Sequence, residues 1–293
     1  KAGFPTKGAA QTALQELVRI LMTDVTLTSL TVQEYLENWL TSKHALKPTT
    51  MALYAEFTTN YLVPHLGQIR LLELRAHHLD RMYANITVGM RGRPLSPSTI
   101  RRIHGVLRSA LNTAVNRRLI PYNPAEHIEL ASENPKKAMP WKPEQCQTFL
   151  EHIAADRLAN LYHLILITGM RRGESVGLRW QDVDLDGACL SVNQQITDVN
   201  GRSMVSTPKT KSGTRDIPID DEPVAILHRQ RETQNLERIA RGPACNEAGL
   251  VFTRESGCPL RHAYATGHIT ALTANTGAPL PRPPSVRHTQ PPR

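Results

Sequence analysis

Arg171 and Glu174, three positions apart, carry the clearest chemistry in this 293-residue chain. They stand in the run Thr168-Gly169-Met170-Arg171-Arg172-Gly173-Glu174, followed by Leu178, Trp180, Asp182 and Asp184. The apolar segment from Leu158 to Ile167 reads as a helix that Gly169 breaks. Arg171 then opens a short second helix, with Glu174 one turn on. A carboxylate at that spacing fixes the planar fork of the arginine, and an arginine so held at a helix start suits the gripping of a phosphate. The plainer alternative is a helix junction with a surface Arg–Glu pair.

The bulk composition points the same way. A formal charge of +9 and a pI near 9.6 favour a polyanionic partner, either nucleic acid or an anionic membrane surface. No apolar run is long enough to span a bilayer, and no signal-peptide pattern opens the chain. The chain starts at Lys1 without a methionine and reads as a fragment or a processed chain. Cys146, Cys189, Cys245 and Cys258 form no Cys-x-x-Cys pair and read as free thiols of a reducing cytoplasm. The histidines are scattered, so no metal site and no cofactor is expected. The localisation expected is cytoplasmic and nucleoid-associated.

The elements that must position these groups fall into two blocks. An amphipathic helix from about Ala9 to Met22 leads the first. After a Thr/Leu-rich linker, Thr31 caps a helix through a capping box with Glu34, and Val32, Tyr35, Leu36, Trp39 and Leu40 form its stripe. A second helix runs from Lys47-Pro48-Thr49 to about Leu62, ended by Pro64 and Gly67. A short one covers Ala76 to Ile86, and a glycine-rich hairpin or loop spans Gly89 to Pro94. A long fourth helix opens at Ser96-Pro97. From Ser96 to Ile120 it carries Arg101, Arg102, Arg108, Arg117 and Arg118 and no acid, which reads as a face for a phosphate backbone.

Residues 131–143 read as an exposed linker. Beyond it, helices are expected near 143–155, 156–167 and 171–178, then a turn at Asp182 to Gly187. Ala188 to Thr197, Ser203 to Pro208 and Thr214 to Ile219 read as a three-stranded antiparallel meander. A polar helix from Asp221 to about Ala240, a short strand at Gly249 to Thr253 and a helix over His262 to Thr276 complete the block. The fold class is mainly α with a small antiparallel β-meander (α+β).

The run 168–184 resembles the first arginine box of the tyrosine recombinases, the phage-integrase family. Thr207-Pro208-Lys209-Thr210-Lys211-Ser212-Gly213-Thr214-Arg215-Asp216-Ile217-Pro218 resembles that family's catalytic-lysine hairpin, with Lys209 38 residues after Arg171. Pro284-Ser285-Val286-Arg287-His288-Thr289 resembles its second arginine box. The resemblance implies metal-independent strand cutting and rejoining, in which a tyrosine attacks a backbone phosphate and releases a 5′-hydroxyl. Arg171 and Arg287 would share the phosphate charge, Glu174 would orient Arg171, and His288 would trail the second arginine. Lys209 is preferred as the acid that protonates the leaving oxygen, with Lys211 its rival.

The resemblance also implies domains. Residues 1–25 would be the remnant of an N-terminal arm-site module, or an ordinary leading helix. Residues 28–131 would be a helical core-binding domain touching DNA through Lys47, Thr49, Arg101, Arg102, Arg108, Arg117 and Arg118. Residues 132–143 would be the linker, and 144–293 a catalytic domain. The partner implied is double-stranded DNA at attachment or core sites, with a homo-oligomer forming on it and no membrane.

The chain also departs from the family pattern. Pro284 stands where a catalytic histidine belongs and Ser285 where an acid is usual. Every tyrosine precedes Arg287, and Pro279, Pro281, Pro283, Pro284, Pro291 and Pro292 crowd the last stretch. The expectation is therefore a C-terminally incomplete chain that lacks its nucleophile, binds DNA and does not cleave it. An earlier Leu260-Arg261-His262 resembles the second box superficially, but comes too soon after the Gly257–Leu260 turn. A non-enzymatic DNA-binding protein, a regulator or a competitor at attachment sites, is the alternative function.

Overall fold

Periodic apolar stripes and local caps account for most of what a computed structural model of the chain shows. It describes residues 6–23, 29–86, 89, 92, 94–131, 141–208, 213–241 and 249–274. The chain divides into Lys1–Pro135 and Lys136–Arg293.

The first unit is helical: α1 (Lys7–Thr23), α2 (Val32–Thr41), α3 (Pro48–Phe57), α4 (Val63–Leu66), α5 (Ala76–Asn85) and α6 (Pro97–Asn116). Thr31 begins α2 as expected: the Glu34 N–H donates to its hydroxyl at 3.2 Å, and the Glu34 carboxylate accepts from the Thr31 N–H at 2.8 Å. Val32, Tyr35, Leu36 and Trp39 are buried and Leu40 partly so. The helix that begins at α3 does not stop before Pro64. A π-turn over Thr58–Leu62 carries it into α4, where Pro64 sits in the first turn and needs no hydrogen-bonded N–H. Ser96 caps α6 by accepting from the Thr99 N–H at 3.2 Å. Ile103, Val106, Leu107, Leu111 and Ala114 turn the apolar face of α6 into the core. The Tyr35 hydroxyl donates to the Ala110 carbonyl at 2.6 Å and the Trp39 indole to Thr113 at 3.1 Å, locking α2 onto α6.

The second unit mixes helices with two small antiparallel sheets. Its elements are α7 (Pro143–His152), α8 (Ala159–Thr168), α9 (Arg172–Val176), β1 (Val183–Asp184), β2 (Cys189–Val192), β3 (Gln195–Val199), β4 (Arg202–Ser206), β5 (Arg215–Pro218), α10 (Asp221–Arg241) and α11 (His262–Ala274). The strands expected as one meander are divided. β2 pairs with β5 and with β1, while β3 pairs only with β4. The run Ala188 to Thr197 breaks at Asn193-Gln194, because Asn193 donates to Asp182 at 2.9 Å and Gln194 to the Gly177 carbonyl at 2.8 Å. Val183–Asp184, expected within a turn, is a short edge strand. Gly249 to Thr253 is no strand: Leu250 and Thr253 each make one isolated bridge, to Arg179 and Pro259. Phe149, Leu161, Tyr162, Leu164, Leu190 and Phe252 are central in this unit's core.

No described helix is long and apolar enough to cross a membrane. Cys146, Cys189 and Cys258 are free thiols. The expected hairpin tip near Gly89 lies partly, and the 132–140 part of the linker wholly, outside the described residues.

Candidate functional site

The site begins where α8 ends. Gly169 closes α8 in the left-handed conformation, φ 64° and ψ 18°, which a side chain would strain. Met170 is buried against the core, so the chain re-emerges at Arg171. The Glu174 side chain is only 1% exposed and accepts three hydrogen bonds. They come from the Arg171 N–H at 3.0 Å, from Arg171 Nη1 at 2.5 Å and from Arg215 Nη2 at 2.9 Å. Burial alone would raise the Glu174 carboxyl, but donation from Arg215 and Arg171 outweighs it and holds the group below the ordinary value. One buried carboxylate thus clasps two guanidinium groups. The Arg171 side chain stays 49% exposed, leaving the rest of its fork open to a ligand.

Arg215 opens β5 and is the residue that sequence reasoning missed. It stood within the lysine-hairpin motif without a role, and its partner lies 41 residues away. Two glycines let β3 come close to α9. A Cβ on Gly173 would sit 2.9 Å from the Ile196 carbonyl oxygen, and one on Gly177 would sit 3.0 Å from the Gln195 Cα. β3 therefore packs backbone to backbone on α9. Pro208 and Gly213, which flank the lysines, are both buried. A Cβ on Gly213 would meet the Pro208 Cβ at 2.5 Å. Lys209 and Lys211 lie outside the described residues, as do Arg287 and His288.

The remainder of the box is structural. Arg179 donates to Asp182 at 2.6 and 3.0 Å. The Trp180 indole donates to Gln234 at 2.8 Å, and Arg231 stacks over its ring at 4.5 Å. Val251 N–H donates to the Leu178 carbonyl at 2.9 Å. These contacts fix the segment that follows α9, residues 178–182, to α10 and to the 249–253 segment.

In the first unit the expected DNA-facing residues divide. Arg102 and Arg108 are exposed on one face of α6, with Gly105 and Asn112 between and beyond them. The Arg102 guanidinium lies over the Phe57 ring at 5.7 Å, and Arg108 pairs loosely with Glu126 at 3.7 Å. Such an exposed pair contributes little. Arg101 is half-buried and donates to the Ala131 carbonyl at 2.6 Å. Arg117 and Arg118 are exposed just past the end of α6, and Lys47 and Thr49 are exposed at the start of α3. A DNA-binding role for this face carries a measurable signature. Each phosphate contact contributes about 0.9 to the slope of log affinity against log salt. The double variant Arg102→Ala/Arg108→Ala should therefore flatten that slope by close to 2 in a salt titration; an unchanged slope removes these two arginines from the interface.

Residues 142–290 match the sequence model of the "Phage integrase family". Among curated proteins, the ICEBs1 integrase of Bacillus subtilis (strain 168) is 30% identical over 142 residues, an alignment covering 48% of this chain and 39% of that protein. A "Tyrosine recombinase XerC-like" protein of Caldanaerobacter subterraneus subsp. tengcongensis is 25% identical over 293 residues, covering 91% of this chain and 72% of that one. Among solved structures, the Tn1549 transposon integrase in complex with a circular intermediate DNA superposes with a TM-score of 0.75 at 22% identity, covering 89% of this chain and 85% of that one. The match of the family model over more than half of its residues shows that this chain belongs to the phage integrase family.

Proposed function

We propose that the chain belongs to site-specific DNA recombination of the phage or mobile-element type, a reaction that cuts and rejoins strands at a backbone phosphate without a metal, and that residues 1–293 supply its DNA-binding and phosphate-gripping groups. Residues 28–131 hold the duplex, in part through Arg102 and Arg108, and residues 144–293 hold the reacting phosphate. The observation that carries this reading is the Glu174 clasp on Arg171 and Arg215. It presents a half-exposed planar fork beside the strand that follows the lysine hairpin, the arrangement needed to neutralise charge developing on a phosphate. Arg287 is the second guanidinium on the phosphate, with His288 beside it. Lys209 or Lys211 protonates the leaving 5′-oxygen, and copies of the chain assemble on paired sites. Family membership and the names of the relatives support the same reading.

Within residues 1–293 no tyrosine follows Arg287. A polypeptide of these residues is accordingly expected to grip its target without forming a covalent bond to it. Two steps test this. Retention of duplexes from a randomised pool should enrich one sequence motif. A nicked suicide duplex carrying that motif should then give no adduct that survives denaturation. Uniform retention of the pool would leave only sequence-independent binding, and an adduct would place a nucleophile among residues 1–293.

A further inference from the structure

Arg172 does not share in the Glu174 clasp. It is half-buried and carries charge felt by the Tyr162 hydroxyl of α8 and by His262 at the start of α11, whose ring carbon Cδ2 lies 3.7 Å from where a Cβ on the next residue, Gly173, would sit. Among the described residues it has no hydrogen-bond acceptor and no carboxylate partner. Burial draws both Arg172 and His262 below their ordinary values, and the charge of Arg172 adds to the effect on His262. The residue before His262 is also unsatisfied: Arg261 Nε is buried without a hydrogen-bond partner. The acid facing it, Asp198, stands 3.9 Å away and already accepts from the Ala263 N–H at 2.7 Å and the Ser203 hydroxyl at 3.0 Å. From Ser256 to Arg293 the sequence contains no aspartate or glutamate.

A cation partly removed from water and left without an acceptor is destabilising, and an anion from outside the chain offsets that cost. We propose that Arg172, with His262 beside it, forms a second phosphate site, filled by a phosphate neighbouring the one on Arg171 in the same DNA strand. This rests on the reading of the chain as a DNA strand-exchange protein. Consecutive guanidinium groups on two phosphates would fix the direction and register of the strand, which one contact cannot do. His262, from the Leu260-Arg261-His262 run that mimics an arginine box in sequence, thereby gains a role of its own.

The test uses the 293-residue chain, a duplex selected as above, and the near-isosteric variant Arg172→Met. Affinity should fall roughly tenfold and the salt slope should flatten by about 1, the loss of one phosphate contact. The thermal midpoint without DNA should hold or rise, because an unpaired half-buried charge has been removed. Unchanged affinity and slope would overturn the proposal. If the variant is less stable as well as weaker, methylphosphonate scanning decides. In the wild-type complex, two adjacent positions should weaken binding when neutralised, and one of them should lose its effect in Arg172→Met. If both keep their effect, the proposal fails. Loss of binding with Arg171→Ala but not with Arg172→Met would leave the proposed function standing and remove this site alone.

Discussion

Replacing Glu174 with alanine should destabilise the second unit by about 3 kcal/mol, the penalty typical of removing one partner from a buried ionic cluster. The carboxylate is 1% exposed and its oxygens take three donors, so its loss strips the Arg171 N–H and both guanidinium groups of their acceptor. Arg171 and Arg215 would then face each other as like charges. Urea or thermal unfolding measures the loss, and a change below about 1 kcal/mol would show that the clasp contributes little. DNA affinity should fall with it, because the fork of Arg171 loses its fixed direction.

The pH dependence of this cluster has a definite sign. Its partners hold the Glu174 carboxyl below the ordinary value of 4.5. The stability it contributes is therefore fully present above that pH and is lost as pH falls through the lower, folded-state value. The wild-type and Glu174→Gln proteins should differ most above pH 4.5 and converge as acid protonates the carboxylate. A difference that widens toward acid would reverse the assignment.

Replacing Arg171 with alanine is the complementary experiment, with the opposite balance of effects. The side chain is 49% exposed and Glu174 keeps the residue-171 N–H and Arg215 as donors, so the fold should lose less than with Glu174→Ala. Binding should lose far more, because hydrogen bonds to a charged phosphate are stronger than neutral ones and come in pairs from a planar fork. A loss of ten- to a hundredfold in affinity for the selected duplex is expected, about 1.4 to 3 kcal/mol. Arg171→Lys should recover part of this through charge while losing the bidentate geometry. Equal binding by all three proteins would move the phosphate grip elsewhere.

Local physics was legible in the sequence where the determinants are local. The Thr31–Glu34 capping box, the Ser96 cap, the stripe of α6 and the glycine ending α8 were each written within a few residues of where they act. So was the Arg171–Glu174 spacing, since i and i+3 meet on any helical turn. Distant partners hid what was missed. The break at Asn193-Gln194 has no local breaker and follows from bonds to Asp182 and Gly177. Alternation alone could not tell that β2 would pair with β5 across an inserted hairpin. Arg215 looked like one more cation on a basic hairpin until its carboxylate came into view, and Arg172 like a duplicate of its neighbour. The close glycines Gly173 and Gly177 matter because β3 lies on them, which no spacing within α9 announces.

Methylphosphonate interference on the selected duplex, with wild-type protein and Arg171→Ala side by side, tests the grip of Arg171 on a DNA phosphate most directly. Neutralising one particular phosphate should weaken the wild type about tenfold or more and leave Arg171→Ala unaffected, since the contact is already gone. If every phosphate that matters to the wild type matters equally to the variant, the guanidinium of residue 171 touches none of them and the account is wrong.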